Sequence, residues 1–306
     1  MPFRFDDIGN RLKAFRLASG LSADEIASQI GISRAALYRY EKGEVAKIET
    51  LDRMATLLGV SVPTLLGVGV EYMASAVAFF ERMRQIEETA EHIIVSSGPV
   101  SYLLTSHKFD DYLEKVLAES VPKGEDSRKQ GLQTVAELMN ILRQRKEAYR
   151  RRQPSIVTVI AADELRRFLR NGMVGKVDMP TKTRNKRRER AVEEMERVAK
   201  FMEDEPIGVQ IGIVEDTLPR TSFQIFRQPD RLVLAVSPYR LGENPNIRVG
   251  VGMITSAPEA IDLHEQTAEN LWKRALKGRD AAEFTRKVIK RYSACFPRKH
   301  HREFID

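Results

Sequence analysis

Residues 21–43 read LSADEIASQIGISRAALYRYEKG, two short helices joined by a tight turn. Ser22 can cap the first helix, and Glu25 three residues later completes a capping box. Ile26, Ala27 and Ile30 give that helix one apolar face. Gly31 suits the turn because, lacking a Cβ, it enters left-handed backbone angles freely. Ser33 can cap a second helix running to about Lys42, and Gly43 stops it. The second helix has two faces. Leu37, Tyr40 and Glu41 fall on one, while Arg34, Ala35, Tyr38 and Arg39 fall on the other at i, i+1, i+4 and i+5. One face can pack while the other offers two guanidinium groups and a phenol. An arginine can donate two hydrogen bonds to guanine O6 and N7, about 1–3 kcal/mol of discrimination between bases. Ala35 is small enough for close approach and could touch a thymine methyl. The pattern points to a helix built to enter a DNA major groove. The alternative is a helical hairpin with a solvated charged face.

The flanks favour the first reading. Residues 6–18 predict an amphipathic helix with Ile8, Leu12 and Phe15 on one stripe, ended near Gly20. Residues 47–58 predict another through Leu51, Met54, Ala55 and Leu58, and a short fifth helix is expected at 63–66, led by Pro63. The strings RLKAFRLASGLS, IASQIGIS, YEKG and LDRMATLLGVSVPTLLG, over residues 6–67, resemble the phage-repressor-like helix-turn-helix domain of Xre or Cro/C1 type. The resemblance implies a five-helix bundle and a double-stranded DNA partner. It implies base reading by Arg34, Ala35, Tyr38 and Arg39, and phosphate contacts near Ser22, Ser33, Lys42 and Lys47. It also implies that Arg16 and Glu41 form a structural pair. One departure stands out. Many such domains place Gln after the Ser that starts helix 2, and this chain has Ala23.

Composition sets outer bounds. A chain of 306 residues has room for two domains, and the bundle takes about a fifth of it. Apolar content of 42% with 30% charged residues fits a soluble globular protein, and no run of 18 apolar residues predicts a membrane span. The start MPFRFDD lacks the apolar core of a signal peptide. The single Cys295 excludes an intrachain disulfide and suits a reducing bacterial cytoplasm, where it reads as a plain free thiol. A net charge of +7 favours polyanion partners. Residues 1–66, however, hold 9 Lys/Arg against 8 Asp/Glu, whereas residues 142–190 hold 16 against 5. The DNA reading therefore rests on the motif and not on global charge. The run KTRNKRRER at 182–190, within a basic insert at 176–190, reads as a loop entering a helix. It could add phosphate contacts or be a solvated stretch balanced by Glu193, Glu194 and Glu196.

Residues 68–91 read as a linker built on one long helix at 70–91, with Phe79, Phe80 and Met83 on its apolar stripe. That stripe could be a dimer seam or could pack on the second domain. A dimer would set two recognition helices about 34 Å apart and predict an inverted-repeat site. Residues 92–292 form the second domain. Strands are expected at 92–97, 156–160, 208–214, 222–227, 231–237 and 247–255. Helices are expected at 109–119, 132–152, 161–172, 189–204 and 258–277, with a polar loop at 122–131 and a basic tail from 293. The expected class is an N-terminal helical bundle joined to an α+β domain with a mixed sheet.

The order YLLTSHKFDDYL, LRQRKEAYRRRQP, ADELRRFL, GVQIGIV, SFQIF is similar to the C-terminal domain of actinobacterial Xre regulators of Streptomyces type. That resemblance implies a sensor or a module that holds a small ligand or a protein. Little else points to chemistry. His92, His107 and His264 lack metal-ligand spacing, and the pair His300 and His301 in the tail is a weak signal. GVGM at 250–253 lacks a dinucleotide fingerprint and reads as strand. Asp163 and Glu164 read as the first turn of a helix and not as catalytic acids. Arg166, Arg167, Tyr239 and Arg240, at strand ends and helix starts, could line an anion pocket. No catalytic residue, metal or cofactor is expected. The resulting expectation is a dimeric DNA-binding transcription regulator, repressor-like and tuned by its second domain. An antitoxin-like adaptor, or an enzyme delivered to DNA, is the rival.

Overall fold

The computed structural model describes residues 5–44, 46–96, 98–122, 124–175, 179–215 and 221–293. Five helices open the chain: α1 (Phe5–Ser19), α2 (Ala23–Ile30), α3 (Arg34–Glu41), α4 (Ile48–Leu58) and α5 (Val62–Leu66). Their inner faces close on Leu12, Ile26, Leu37, Met54 and Leu65, all buried. Full burial of such side chains is worth roughly 1.5–3 kcal/mol each. The bundle closes through a patterned core and through capped ends, with Ser22, Ser33 and Ser61 each accepting a backbone N–H at the start of its helix.

The stretch expected to be one linker helix splits in two. Val70–Met73 is strand β1 and Ala76–Glu87 is helix α6, capped by Ser75. The reason lies outside the local sequence. β1 pairs antiparallel with β7 (Gly252–Thr255), from Val70 opposite Thr255 to Met73 opposite Gly252. Its polar Glu71 points inward and its Tyr72 outward, an inversion of the usual alternation.

Six further strands complete the sheet: β2 (His92–Ser96), β3 (Ser155–Ala161), β4 (Val209–Val214), β5 (Ser222–Arg227), β6 (Leu232–Ser237) and β7. Their order is β1-β7-β6-β5-β2-β3-β4, with β2, β3 and β4 parallel and the other pairs antiparallel. The parallel strands need long crossovers. These are α7 (His107–Ser120) with α8 (Glu125–Arg152), then α9 (Ala162–Asn171) with α10 (Thr181–Asp204). Helix α11 (Pro258–Arg274) covers one face of the sheet, setting Ile261 and Ala268 on Phe223, Ile225 and Leu234. The main core lies on the other face under α6, α8 and α9.

Several boundaries differ from expectation. The polar stretch expected to loop at 122–131 enters α8 at Glu125, and Gly131 sits inside that helix against Val121. The basic run at 182–190 is helical from Thr181, because Arg187 is buried against Glu119 and the carbonyl of Met173. The strand expected from 247 begins only at Gly252. Upstream, the Asn246 side-chain Oδ1 accepts from the amides of Arg248 and Val249 and bends the chain. The last expected helix ends at Arg274, and α12 (Gly278–Ser293) follows it, packing on α9 and α10. No helix among the described residues is long and apolar enough to cross a membrane.

Polar groups dock the bundle onto the larger domain. Arg11 of α1 and Arg82 of α6 both donate to the Glu71 carboxylate, at 2.6 Å and at 2.9 and 3.1 Å. All three side chains are nearly sealed from solvent, at 8%, 3% and 6% exposed. Arg82 also donates to Gln85, which donates to the carbonyl of Asn10, and Arg231, just before β6, clasps Asp7. Gly67 makes the approach possible, since a Cβ there would lie 2.2 Å from the Arg11 guanidinium. Burial pushes the Glu71 carboxyl up, but Arg82 and Arg11 prevail and hold it below its ordinary range.

Candidate nucleic-acid interface

The α2–turn–α3 unit forms through local chemistry. The Ser22 hydroxyl accepts from the Glu25 amide at 3.2 Å, and the Glu25 carboxylate accepts from the Ser22 amide at 2.7 Å. Gly31 takes the left-handed angle, φ 71°, that lets the chain reverse between the helices. The Ser33 hydroxyl then accepts from the Ala36 amide at 3.1 Å and starts α3.

Helix α3 is clamped from behind. Leu37 is buried and Tyr40 packs on the core. Glu41 receives two hydrogen bonds from Arg16 of α1, at 2.5 and 3.1 Å. The inner face is thereby fixed in rotation, which sets the direction of the outer face. Ala23 is buried in the bundle, so its position offers no side chain for a phosphate.

On the outer face Arg34, Ala35, Tyr38 and Arg39 are all exposed. Ser22, Ser33, Lys42 and Lys47 are exposed around them, at the ends of α2, α3 and α4. All eight residues are thus exposed on or beside α2–α4, and the Arg16–Glu41 pair holds α3 from its inner side. The two serine hydroxyls are engaged as helix caps, so an incoming phosphate meets groups already committed to the protein.

Sequence reasoning missed the acids. Arg34 lies 3.1 Å from Asp24, and its guanidinium is 5.5 Å from the Tyr38 ring centre. Arg39 lies 3.2 Å from Glu44. Both pairs are more than half exposed, and pairs of this kind are weak and easily exchanged. Asp24 and Glu44 therefore act as counter-ions that a stronger anion can displace. The signal was available, since both acids sit beside the motif and α2 places Asp24 on its solvent side.

The remaining expected sites fare differently. Phe79, Phe80 and Met83, considered as a dimer seam, are 0%, 4% and 1% exposed within a single chain. Phe79 and Phe80 meet edge to face at 5.5 Å and both contact the Tyr239 ring. The stripe is spent on the second domain and cannot also face a partner copy. Of the four residues expected at an anion pocket, Arg167, Tyr239 and Arg240 line one cavity. Arg166 does not, and its guanidinium lies 5.8 Å from the Phe284 ring of α12. The Tyr239 hydroxyl is already donated to the carbonyls of Met73 and Gly250, and burial pushes its pKa up to about 12. Carboxylates of Glu164 and Glu243 share the cavity wall, so it is not a simple anion site. His92, His107 and His264 bond to Ser155, Arg150 and the carbonyl of Ala260. Cys295, His300 and His301 lie outside the described residues, as does the tail from 294 and part of the basic insert at 176–178.

Residues 7–66 match the family model described as a helix-turn-helix domain. The match covers the five-helix bundle and stops before β1. No curated protein matches the chain. The N-terminal part is therefore a helix-turn-helix domain of the kind that supports a DNA-binding regulator.

Proposed function

We propose that this chain is a sequence-specific transcription regulator of the bacterial cytoplasm and not an enzyme. It binds double-stranded DNA as a homodimer, and its second domain, a sensor or partner-binding module, tunes that binding. One observation carries the reading: α3 is locked on its inner face and offers two arginines and a tyrosine, loosely countered, on its outer face. In the groove, Arg34 and Arg39 would exchange Asp24 and Glu44 for base edges. Lys42 and Lys47 would hold phosphates and set the register without carrying sequence information. The near-balanced charge of the bundle predicts a modest electrostatic share, so affinity leans on fit. The dimer is assigned here without the α6 stripe, which is buried.

The experiment is selection of bound duplexes from a random library by the full chain, followed by sequencing. The expected product is an inverted repeat whose half-site centres lie about 10 base pairs, or a multiple of a helical turn, apart. Recovery of unenriched sequences would overturn base reading, and recovery of single half-sites would overturn the dimer.

A further inference from the structure

A cavity lies inside the larger domain, on the side of α6 turned away from the helix-turn-helix bundle. Phe80 and Met83 of α6 line it, together with Tyr102, Phe109, Arg145 and Gln224. The cavity measures about 80 Å³. Arg167, partly exposed, and Arg240, exposed, also belong to its wall.

Two polar groups in this cavity are left incomplete. The Gln224 Oε1 atom is buried and has no hydrogen bond among the described residues. Arg145 is 2% exposed and gives Nε and Nη2 to Glu87, at 2.9 and 2.6 Å. The Arg167 Nε atom is likewise buried and has no hydrogen bond among the described residues. Buried polar groups without partners are unfavourable, and such groups convergent in an apolar cavity mark a binding site. The charges balance. Arg145 is neutralised by Glu87, and Arg167 lies 3.4 to 3.6 Å from Asp163, Glu164 and Glu243. Burial also pushes the Glu164 carboxyl up, a sign of poor solvation for charge there. Aromatic walls with balanced charge favour an uncharged guest. A head that both accepts, from Arg167 Nε, and donates, to Gln224 Oε1, is amide-like.

Helix α6 separates this cavity from the bundle. Phe80 and Met83 face the cavity, while Glu81, Arg82 and Gln85 lie about half a turn round the helix axis. Arg82 and Gln85 hold α1 through Glu71, Arg11 and Asn10. Helix α1 in turn holds α3 through Arg16 and Glu41. A continuous chain of buried contacts thus joins the cavity to the outer face of α3.

We propose that the cavity is an effector site for a small neutral molecule with an apolar or aromatic body and a carboxamide-like head. Helix α6 passes its occupancy to the recognition helix. The binding step stands alone, and only the relay rests on the DNA-binding reading. Occupancy can change DNA affinity only through a difference in guest affinity between two arrangements of α6 and α1.

The test uses the full chain with benzamide as neutral probe and benzoate as charged probe, followed by calorimetry and by the NMR signal of the Met83 methyl. Benzamide is expected to bind and shift that signal, and benzoate to bind about tenfold more weakly. Gln224→Leu should weaken benzamide about tenfold, and Ser222→Phe, which fills the cavity at its lip, should abolish binding. Absence of benzamide binding, an unmoved Met83 methyl in the wild-type chain, or benzoate binding the tighter would each overturn the site as assigned. Affinity for a selected duplex is then measured with and without saturating benzamide, and a shift of about threefold or more is expected. Benzamide binding with unchanged duplex affinity overturns the relay alone. Benzamide binding by a chain that holds no duplex overturns the DNA reading and leaves the cavity assignment standing.

Discussion

The arginines on the outer face of α3 and those buried around α6 carry the same group and meet the same kind of partner, yet their surroundings differ. Arg34 and Arg39 are 57% and 60% exposed, each beside one exposed acid. Arg11, Arg82 and Arg145 are 8%, 3% and 2% exposed, and each is seated on a buried carboxylate by short hydrogen bonds. In water an ion pair exchanges partners at little cost, so the first set is available to a ligand. In the interior, loss of one partner strands a charge, so the second set fixes geometry. Burial, and not the number of cations, separates the two roles.

The comparison can be broken first at its buried side. Glu71→Gln leaves Arg11 and Arg82 without their shared anion and should lower stability by about 3–5 kcal/mol in urea unfolding. A loss below about 1 kcal/mol would mean that water reaches the pair and that the contrast drawn above is false. Phe79→Ala should cost about 3–5 kcal/mol by emptying a fully buried site, with no change in oligomeric state by sedimentation. Dissociation of a dimer by this variant would restore the stripe as a subunit seam.

Acid sharpens the same contrast. Burial raises the Glu71 and Asp7 carboxyls, but their arginine partners prevail and hold both below their usual values of 4.5 and 3.8. Below those values the unfolded chain binds protons that the folded chain refuses. The stability these groups contribute is therefore complete above them and is lost as pH falls through the lowered folded values. The melting temperature should hold steady from pH 7 to 5 and fall below about pH 4, with a shallower fall in Glu71→Gln. Equal slopes in the two proteins would remove Glu71 from the account. The smallest effect lies at the surface. Asp24→Asn and Glu44→Gln should each raise duplex affinity by about two- to fivefold without moving the melting temperature. Weaker binding in both would show that these acids order the arginines and do not merely occupy them.

How much of this was legible in the sequence depended on distance along the chain. The bundle is specified by neighbours: Ser22 with Glu25, Ser33 with Ala36, and Gly31 at the reversal, all within a few residues. Its spans and its exposed face could be read before any coordinates. The strand β1 could not, because Val70–Met73 is made a strand by β7, some 180 residues away, and its buried Glu71 is admitted only by Arg11 and Arg82. The same holds for the cavity, which gathers residues from Phe80 to Glu243. Arg166 and Arg167 look alike in sequence, yet adjacent residues on α9 point about 100° apart, so one lines the cavity and the other lies on Phe284.

The most direct test of the central claim is the ratio of affinities for a selected duplex and a random one, measured at fixed salt for the wild type and for the Arg34→Ala/Arg39→Ala double variant. If the outer face of α3 reads bases, the double variant keeps its fold and its binding to random DNA to within a few-fold, while the ratio falls by about a hundredfold or more. A ratio unchanged from wild type, with both affinities reduced together, would show that these arginines meet only phosphates and that the sequence is read elsewhere.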